Sequence, residues 1–170
     1  MPRALLITGV SGAGKSTIAG AIGRLLSSAG LSTAVVDVDA LAQFGPPPRP
    51  KGAFYHALKC ANLAAVWANF KAAGAGFVVV AAGVDSAAEC DDFAGSLDGC
   101  DVQTVRLTAD ADVVRQRRGN RGDQAAKTAT NNAYQGEAAT ATSVLNDRPP
   151  AVVAREVLLR AGWPVPPAGG

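Results

Sequence analysis

Histidine is almost missing from this chain: His56 is the only one in 170 residues. A metal centre built on imidazoles, or a triad with a histidine base, is therefore not expected, and His56 itself reads as a surface or satisfied side chain. Cysteine is scarce as well. Cys60, Cys90 and Cys100 are odd in number and show no C-x-x-C or Cys/His spacing. They read as reduced, mostly buried thiols of a cytoplasmic protein. No apolar run reaches the length of about 18 residues that a membrane helix needs. The N-terminus carries no signal-peptide pattern, since Arg3 is followed by a short apolar run that ends in a glycine. An excess of one charge is also lacking. With 16 Lys and Arg against 14 Asp and Glu, the formal net charge is +2. That is too small to indicate a nucleic-acid or membrane partner, although it suits an anionic ligand. Internal repeats and domain linkers are absent too, so residues 1–170 are expected to form one domain with an ordinary core.

What is present is concentrated near the start. Ala4–Ile7 is a short apolar run that reads as a buried strand, and Gly9, Gly12, Gly14, Lys15, Ser16 and Thr17 follow it. The pattern is G-x-x-x-x-G-K-S, opening a helix near Lys15. A triphosphate must be held by backbone N–H groups pointing inward from a tight loop. Glycines permit both the backbone angles and the close approach, and the helix adds the positive end of its dipole. Lys15 supplies a compact charge for the β- and γ-phosphates. The Ser16 hydroxyl is a hard oxygen ligand suited to magnesium. Ser11 and Ala13 complete the loop.

Downstream, buried runs alternate with helical periodicity. Ile18, Ala21, Ile22, Leu25 and Leu26 make one helical stripe, and Gly30 is a candidate cap. Ser32–Val36 reads as a second strand. Asp37 and Asp39 come just past its end, at the edge where open α/β sheets bind ligands. Leu41–Gly52 holds four prolines and is expected to be irregular, either a plain connection or a cover for a pocket. Ala53–Ala73 reads as a helix with Leu58, Ala61, Leu63, Ala65, Val66, Trp67 and Phe70 at its apolar positions. Lys59 and Asn62 share one of its faces. Phe77–Ala82 reads as a third strand followed by Gly83 and Asp85, Ser86–Leu97 as a short helix, and Val102–Leu107 as a fourth strand. Asp110–Arg121 starts with acids, fitting a helix start, and ends with Arg115, Arg117, Arg118 and Arg121 beside glycines. That composition matches a phosphate-clamping lid over residues 110–141, or equally a solvated helix face. Thr142–Leu145 is a candidate fifth strand. Ala151–Arg160 is a last helix with Val152, Val153, Val157 and Leu158 facing the body, and Trp163 packs behind it. Repeated strand–helix alternation implies an α/β fold with a mainly parallel sheet and helices on both faces.

With the loop GVSGAGKST and the run VVDVD in place, the chain resembles the P-loop small-molecule kinases, the group of gluconate kinase, shikimate kinase, adenylylsulfate kinase and chloramphenicol phosphotransferase. The runs NLAAVWANFKAAG and VAREVLLRAGW are similar to small actinobacterial kinase-like ATPases. The resemblance implies the P-loop NTPase fold with a five-stranded parallel sheet in the order 2-3-1-4-5. It implies that Asp37 holds the water shell of magnesium and that Asp39 meets the acceptor hydroxyl as base or orienter. By the same resemblance, Gly83 lines the acceptor site, and Arg117 and Arg118, with Arg115 and Arg121, form the lid. Gluconate and adenylylsulfate kinases usually carry D-G-D where this chain has Asp37-Val38-Asp39.

The expected activity is ATP-dependent phosphoryl transfer to a hydroxyl of a small metabolite or antibiotic-like compound, with ATP and Mg2+ bound. Lys15, Asp39 and Arg117 are the candidate catalytic residues. The candidate acceptor side comprises Asp39, Lys59, Asn62, Gly83 and Asp85, and Asp85 reads equally as a helix cap. A nucleoside or nucleoside monophosphate kinase, or a catalytically silent nucleotide-binding regulator, remains open. A motor or remodelling ATPase is set aside because the chain is short and has no clear run of four apolar residues ending in Asp-Glu. A monomer or homodimer is expected.

Overall fold

The central apolar runs become strands covered on both sides, their alternate residues feeding two different cores, while each edge strand feeds one. The computed structural model describes residues 1–119 and 142–167, with the backbone alone over 116–119. The strands are β1 (Arg3–Thr8), β2 (Thr33–Asp37), β3 (Phe77–Ala81), β4 (Asp101–Thr108) and β5 (Thr142–Leu145). They form one parallel sheet in the order β2-β3-β1-β4-β5. Helices α1 (Lys15–Ser28), α2 (Lys51–Ala72), α3 (Ala87–Gly95), α4 (Ala111–Gly119) and α5 (Pro150–Arg160) connect and cover them. The expected P-loop fold and strand order are those found.

Period two decides which side each strand residue serves. Leu5 and Ile7 turn to one face, where they meet Ile18, Ile22 and Leu26 of α1 and Val153, Val157 and Leu158 of α5. Ala4 and Leu6 turn to the other, with Leu63 and Trp67 of α2 and Phe93 of α3. β1, fully sandwiched between the two cores, delivers its C-terminal end to the sheet's ligand edge. Asp37 pairs there with Ala81, and Thr8 with Arg106.

Several local expectations need correction. Helix α2 starts at Lys51, inside the proline-rich run, and a single 3₁₀ turn, Ala40–Ala42, occupies the start of that run. Of the apolar positions assigned to α2, only Leu63 and Trp67 are buried; Phe70 is 37% exposed, and Ala61 and Ala65 lie on the outer face. Ala61 and Ala65 each stand two residues from buried Leu63 and so face away from the core, whereas length explains Phe70 in the last turn. A helix of 22 residues runs about 33 Å, whereas a five-residue strand spans about 17 Å, so the ends of α2 overhang the sheet. Val152 is 45% exposed rather than turned to the body. Trp163 is buried as expected. Its indole N–H donates to Gln103 Oε1 (3.0 Å), and its ring meets Phe77. Cys90 is buried, while Cys60 and Cys100 are half-buried.

Candidate functional site

The glycine loop takes the shape that its composition requires. Gly9 sits at φ 138°, Gly12 at 86° and Gly14 at 93°, all in the region that side chains avoid. Space is as restrictive as angle at Gly9, where an added Cβ would stand 2.4 Å from the Leu107 carbonyl oxygen of β4. Ala13 is fully buried at the bend, and its N–H donates to the Val10 carbonyl (3.0 Å). The Ala13 carbonyl accepts from the side-chain amide of Asn146 (2.7 Å). Asn146, 5% exposed, also donates its backbone N–H to the Thr108 carbonyl (2.8 Å). It was not singled out from the sequence. The available signal was its position immediately after β5, at the same edge as Asp37.

Helix α1 begins without a side-chain cap and with no acid in its first turn. Helices normally satisfy these first N–H groups with Ser, Thr, Asp or Asn. Here the N-cap is Gly14, which has no side chain to offer, and an anion is what the dipole at such an end favours. Lys15 folds back over the loop, its Nζ donating to the carbonyls of Gly9 (2.9 Å) and Val10 (3.2 Å).

The tip of β2 meets the start of α1. The Ser16 hydroxyl donates to Asp37 Oδ2 at 2.5 Å, and Asp37 Oδ1 accepts the backbone N–H of Asp39 at 3.0 Å. Asp37 is thereby fixed with one oxygen beside the Ser16 oxygen. Asp39, 61% exposed at its side chain, is gripped by Lys59 of α2, Nζ to Oδ1 at 2.5 Å. This is a charge-assisted contact that holds both side chains. Asn62, one turn further along α2, donates to the Leu41 carbonyl (2.6 Å). The residues proposed from three separate stretches thus converge in pairs: Ser16 with Asp37, and Asp39 with Lys59.

Other candidates are placed differently. Gly83 is exposed just past β3, with open space where a side chain would begin. Asp85 is exposed and does not cap α3. Ser86 does, accepting the Glu89 N–H (3.2 Å), while the Glu89 carboxylate accepts the Asp85 N–H (2.8 Å). This is a variant of the capping box, legible as S-x-x-E in the sequence. Arg115 pairs with Asp112 one turn back, on an exposed surface. Arg117 and Arg118 lie within α4 at positions where only the backbone is described. Arg121 and most of the expected lid lie outside the described residues. His56 is held by Asp92 of α3 (Nε2 to Oδ2, 2.9 Å) and packs edge-on to Phe93, a satisfied histidine as expected. Burial raises the thiol pKa values of Cys60, Cys90 and Cys100, the opposite of what a nucleophilic cysteine needs. Among the described residues, no group of three or more His, Cys, Asp or Glu is arranged to hold a metal. No described helix is long and apolar enough to cross a membrane.

A uncapped helix start, a left-handed glycine loop and two strand-tip acids on a parallel sheet define a P-loop fold of the kinase-like kind. The chain belongs to the AAA domain family, whose model matches residues 5–138. No curated protein sequence matches it significantly. Solved structures of like fold include small-molecule kinases. The Mycobacterium tuberculosis APS kinase CysC in complex with AMPPNP and APS has a TM-score of 0.68 at 22% identity, covering 95% of this chain and 98% of that one. A sugar kinase from Janibacter sp. HTCC2649 has 0.63 at 16%, with 95% of both chains covered. The Deinococcus radiodurans tunicamycin resistance protein has 0.64 at 17%, covering 99% and 100%. At these identities the likeness is one of fold.

Proposed function

We propose that this protein transfers the γ-phosphoryl group of Mg·ATP to a hydroxyl of a small molecule. The observation that carries the reading is the pairing at the tip of β2: Ser16 with Asp37 beside the phosphate loop, and Asp39 two residues on, held by Lys59. The donor set fits both partners. The uncapped α1 N-terminus and the glycine loop suit a polyphosphate. The Ser16 hydroxyl and the Asp37 carboxylate are hard oxygen donors, suited to magnesium or its water shell. When bound, the ion supplies charge neutralisation across the phosphates.

Lys15 and the N–H groups of the loop, from Gly9 through Ser11, Gly12 and Gly14 to Thr17, bind the phosphates, while Ala13, its N–H held by the Val10 carbonyl, shapes the bend between them. Asp39 orients the acceptor hydroxyl and takes its proton. A bond forms between the acceptor oxygen and the γ-phosphorus. The bond to the bridging oxygen breaks, and its electron pair leaves with ADP. Lys59 keeps Asp39 in place, and Asn62, Gly83 and Asp85 border the acceptor. Arg115, Arg117 and Arg118 stand on the helix after β4 as candidate clamps for the transferring group.

Calorimetry with Mg·ATP, followed by a panel of hydroxyl compounds scored for ADP and phosphorylated product, tests the reading. Lys15→Ala should abolish detectable Mg·ATP binding. Asp39→Asn should leave that binding within about twofold and lower turnover by roughly a hundredfold or more, the scale of a lost acid–base partner. Equal turnover in Asp39→Asn and the parent removes Asp39 from the mechanism. Absence of heat with Mg·ATP removes the kinase reading altogether. Transfer to nucleoside monophosphates alone would replace the acceptor class.

A further inference from the structure

The segment that leaves β2 is pinned along α2 at three points. Lys59 holds Asp39 (2.5 Å), Asn62 donates to the Leu41 carbonyl (2.6 Å), and the Tyr55 hydroxyl donates to the Phe44 carbonyl (2.6 Å). Tyr55, Lys59 and Asn62 stand at i, i+4 and i+7, one stripe of the helix. The neighbouring stripe of α2, with His56, Leu63 and Trp67, goes to α3 and the core. The stripe is therefore a dedicated seat for the chain that carries Asp39.

Aromatic rings gather where that seat ends. Phe44 is 56% exposed and packs on Phe54 with centroids 5.4 Å apart; Phe54 meets Tyr55 at 5.5 Å. One exposed phenylalanine is ordinary. Three rings in a row, Phe54 touching both of the others, are not, in a chain with 5% aromatic residues. They stand on the same pinned segment and the same helix as the acceptor-side pair.

We infer that Phe44, Phe54 and Tyr55 form a wall of the acceptor site, and that the acceptor is a hydroxyl compound with a planar or apolar ring body, its hydroxyl at Asp39. This inference rests on the phosphotransferase reading above and deepens it. The polar chemistry of the stripe explains the choice of class. A polyol is recognised through several hydrogen bonds set around its hydroxyls. Along this stripe the Tyr55 hydroxyl, the Asn62 amide and the Lys59 ammonium each have a partner within the protein. The Lys51 ammonium stands over the Tyr55 ring, 5.9 Å from its centroid, and Gln43 is exposed, so the ring surface offered outward is chiefly that of Phe44, which favours an apolar or aromatic body through area and ring-edge contacts. The bond changes are those already written, with the ring compound's hydroxyl oxygen as the attacking atom.

The test uses benzyl alcohol and naphthalenemethanol against glycerol and gluconate, with Mg·ATP binding measured separately by calorimetry. The parent should favour the aryl alcohols by roughly tenfold or more in kcat/KM, the value of about one good ring contact. Phe44→Ala should raise the aryl-alcohol KM by a similar factor while Mg·ATP affinity stays unchanged, and Phe44→Trp should restore it. Preference for glycerol or gluconate overturns the inference and leaves the kinase reading standing. So does an aryl-alcohol KM that ignores Phe44→Ala, or a Phe44→Ala effect that follows a change in oligomeric state. Failure to turn over or bind either aryl alcohol while Mg·ATP binds also overturns it. Loss of Mg·ATP heat in the parent is the separate sign that the underlying reading has failed.

Discussion

Asn146 illustrates how one amide can shape a candidate ligand site from behind. A trans peptide points its C=O and the next N–H in opposite directions. By gripping the Ala13 carbonyl from behind (2.7 Å), Asn146 sets the direction of the Gly14 N–H at the mouth of α1. Asn146→Ala leaves that buried carbonyl without its donor, a cost of about 1–3 kcal/mol in stability. Under the proposed function it should also weaken Mg·ATP binding by roughly tenfold, because the loop must then be ordered by the ligand. Thermal unfolding and calorimetry, measured well below the midpoint, separate the two effects. A variant that melts early yet binds Mg·ATP like the parent would confine Asn146 to stability. Lys15 and Ser16 were readable from spacing alone, whereas Asn146 was not, since no local pattern says which carbonyl a strand-end amide will meet.

At the scale of elements, α1 packs on β2 with no room for a side chain at Gly23. A Cβ added at Gly23 would stand 2.3 Å from Val35 Cγ2. The helix itself would gain about 1 kcal/mol from Gly→Ala. The overlap costs about 1–3 kcal/mol, because a β-branched side chain has little freedom at χ1 to move aside. Gly23→Ala is therefore expected to destabilise by up to about 2 kcal/mol, and Val35→Ala added to it should recover most of the loss. The pair is read by urea unfolding of both single variants and the double. Additive losses would show that the two side chains do not compete for the same space. Because Asp37 ends β2, this contact also sets how far the strand-tip acids lie from Ser16.

For the whole molecule, pH offers a readout of burial. Burial pushes the thiols of Cys60, Cys90 and Cys100 up, so the folded chain keeps protons that the unfolded chain has begun to release. Their contribution is complete below the unfolded thiol range and is lost as pH rises through the raised folded values. Midpoints of thermal unfolding should fall from neutral pH into the alkaline range, and a Cys90→Ala chain should fall less steeply. Equal slopes would remove the thiols as the cause. On the acid side the sign reverses. Arg148 holds the Glu156 carboxyl below its usual range, so that clamp on α5 is present above the unfolded carboxylate range and is lost as pH falls through the folded value.

Read along one dimension, the chain already contained its strands, its phosphate loop, the strand-tip acids and the alternation that makes a parallel sheet. These are local properties: a period, a glycine at a required angle, a lysine and a serine at fixed spacing. Pairings across long separations belonged to the tertiary structure alone. Asn146 reaches Ala13 across 133 positions, Lys59 is laid on Asp39, Tyr55 holds Phe44, and the overhang of α2 exposes Phe70. Sequence pattern encodes which face of an element is apolar, but which surfaces meet, and where an element outruns its neighbour, follows only from packing them in three dimensions.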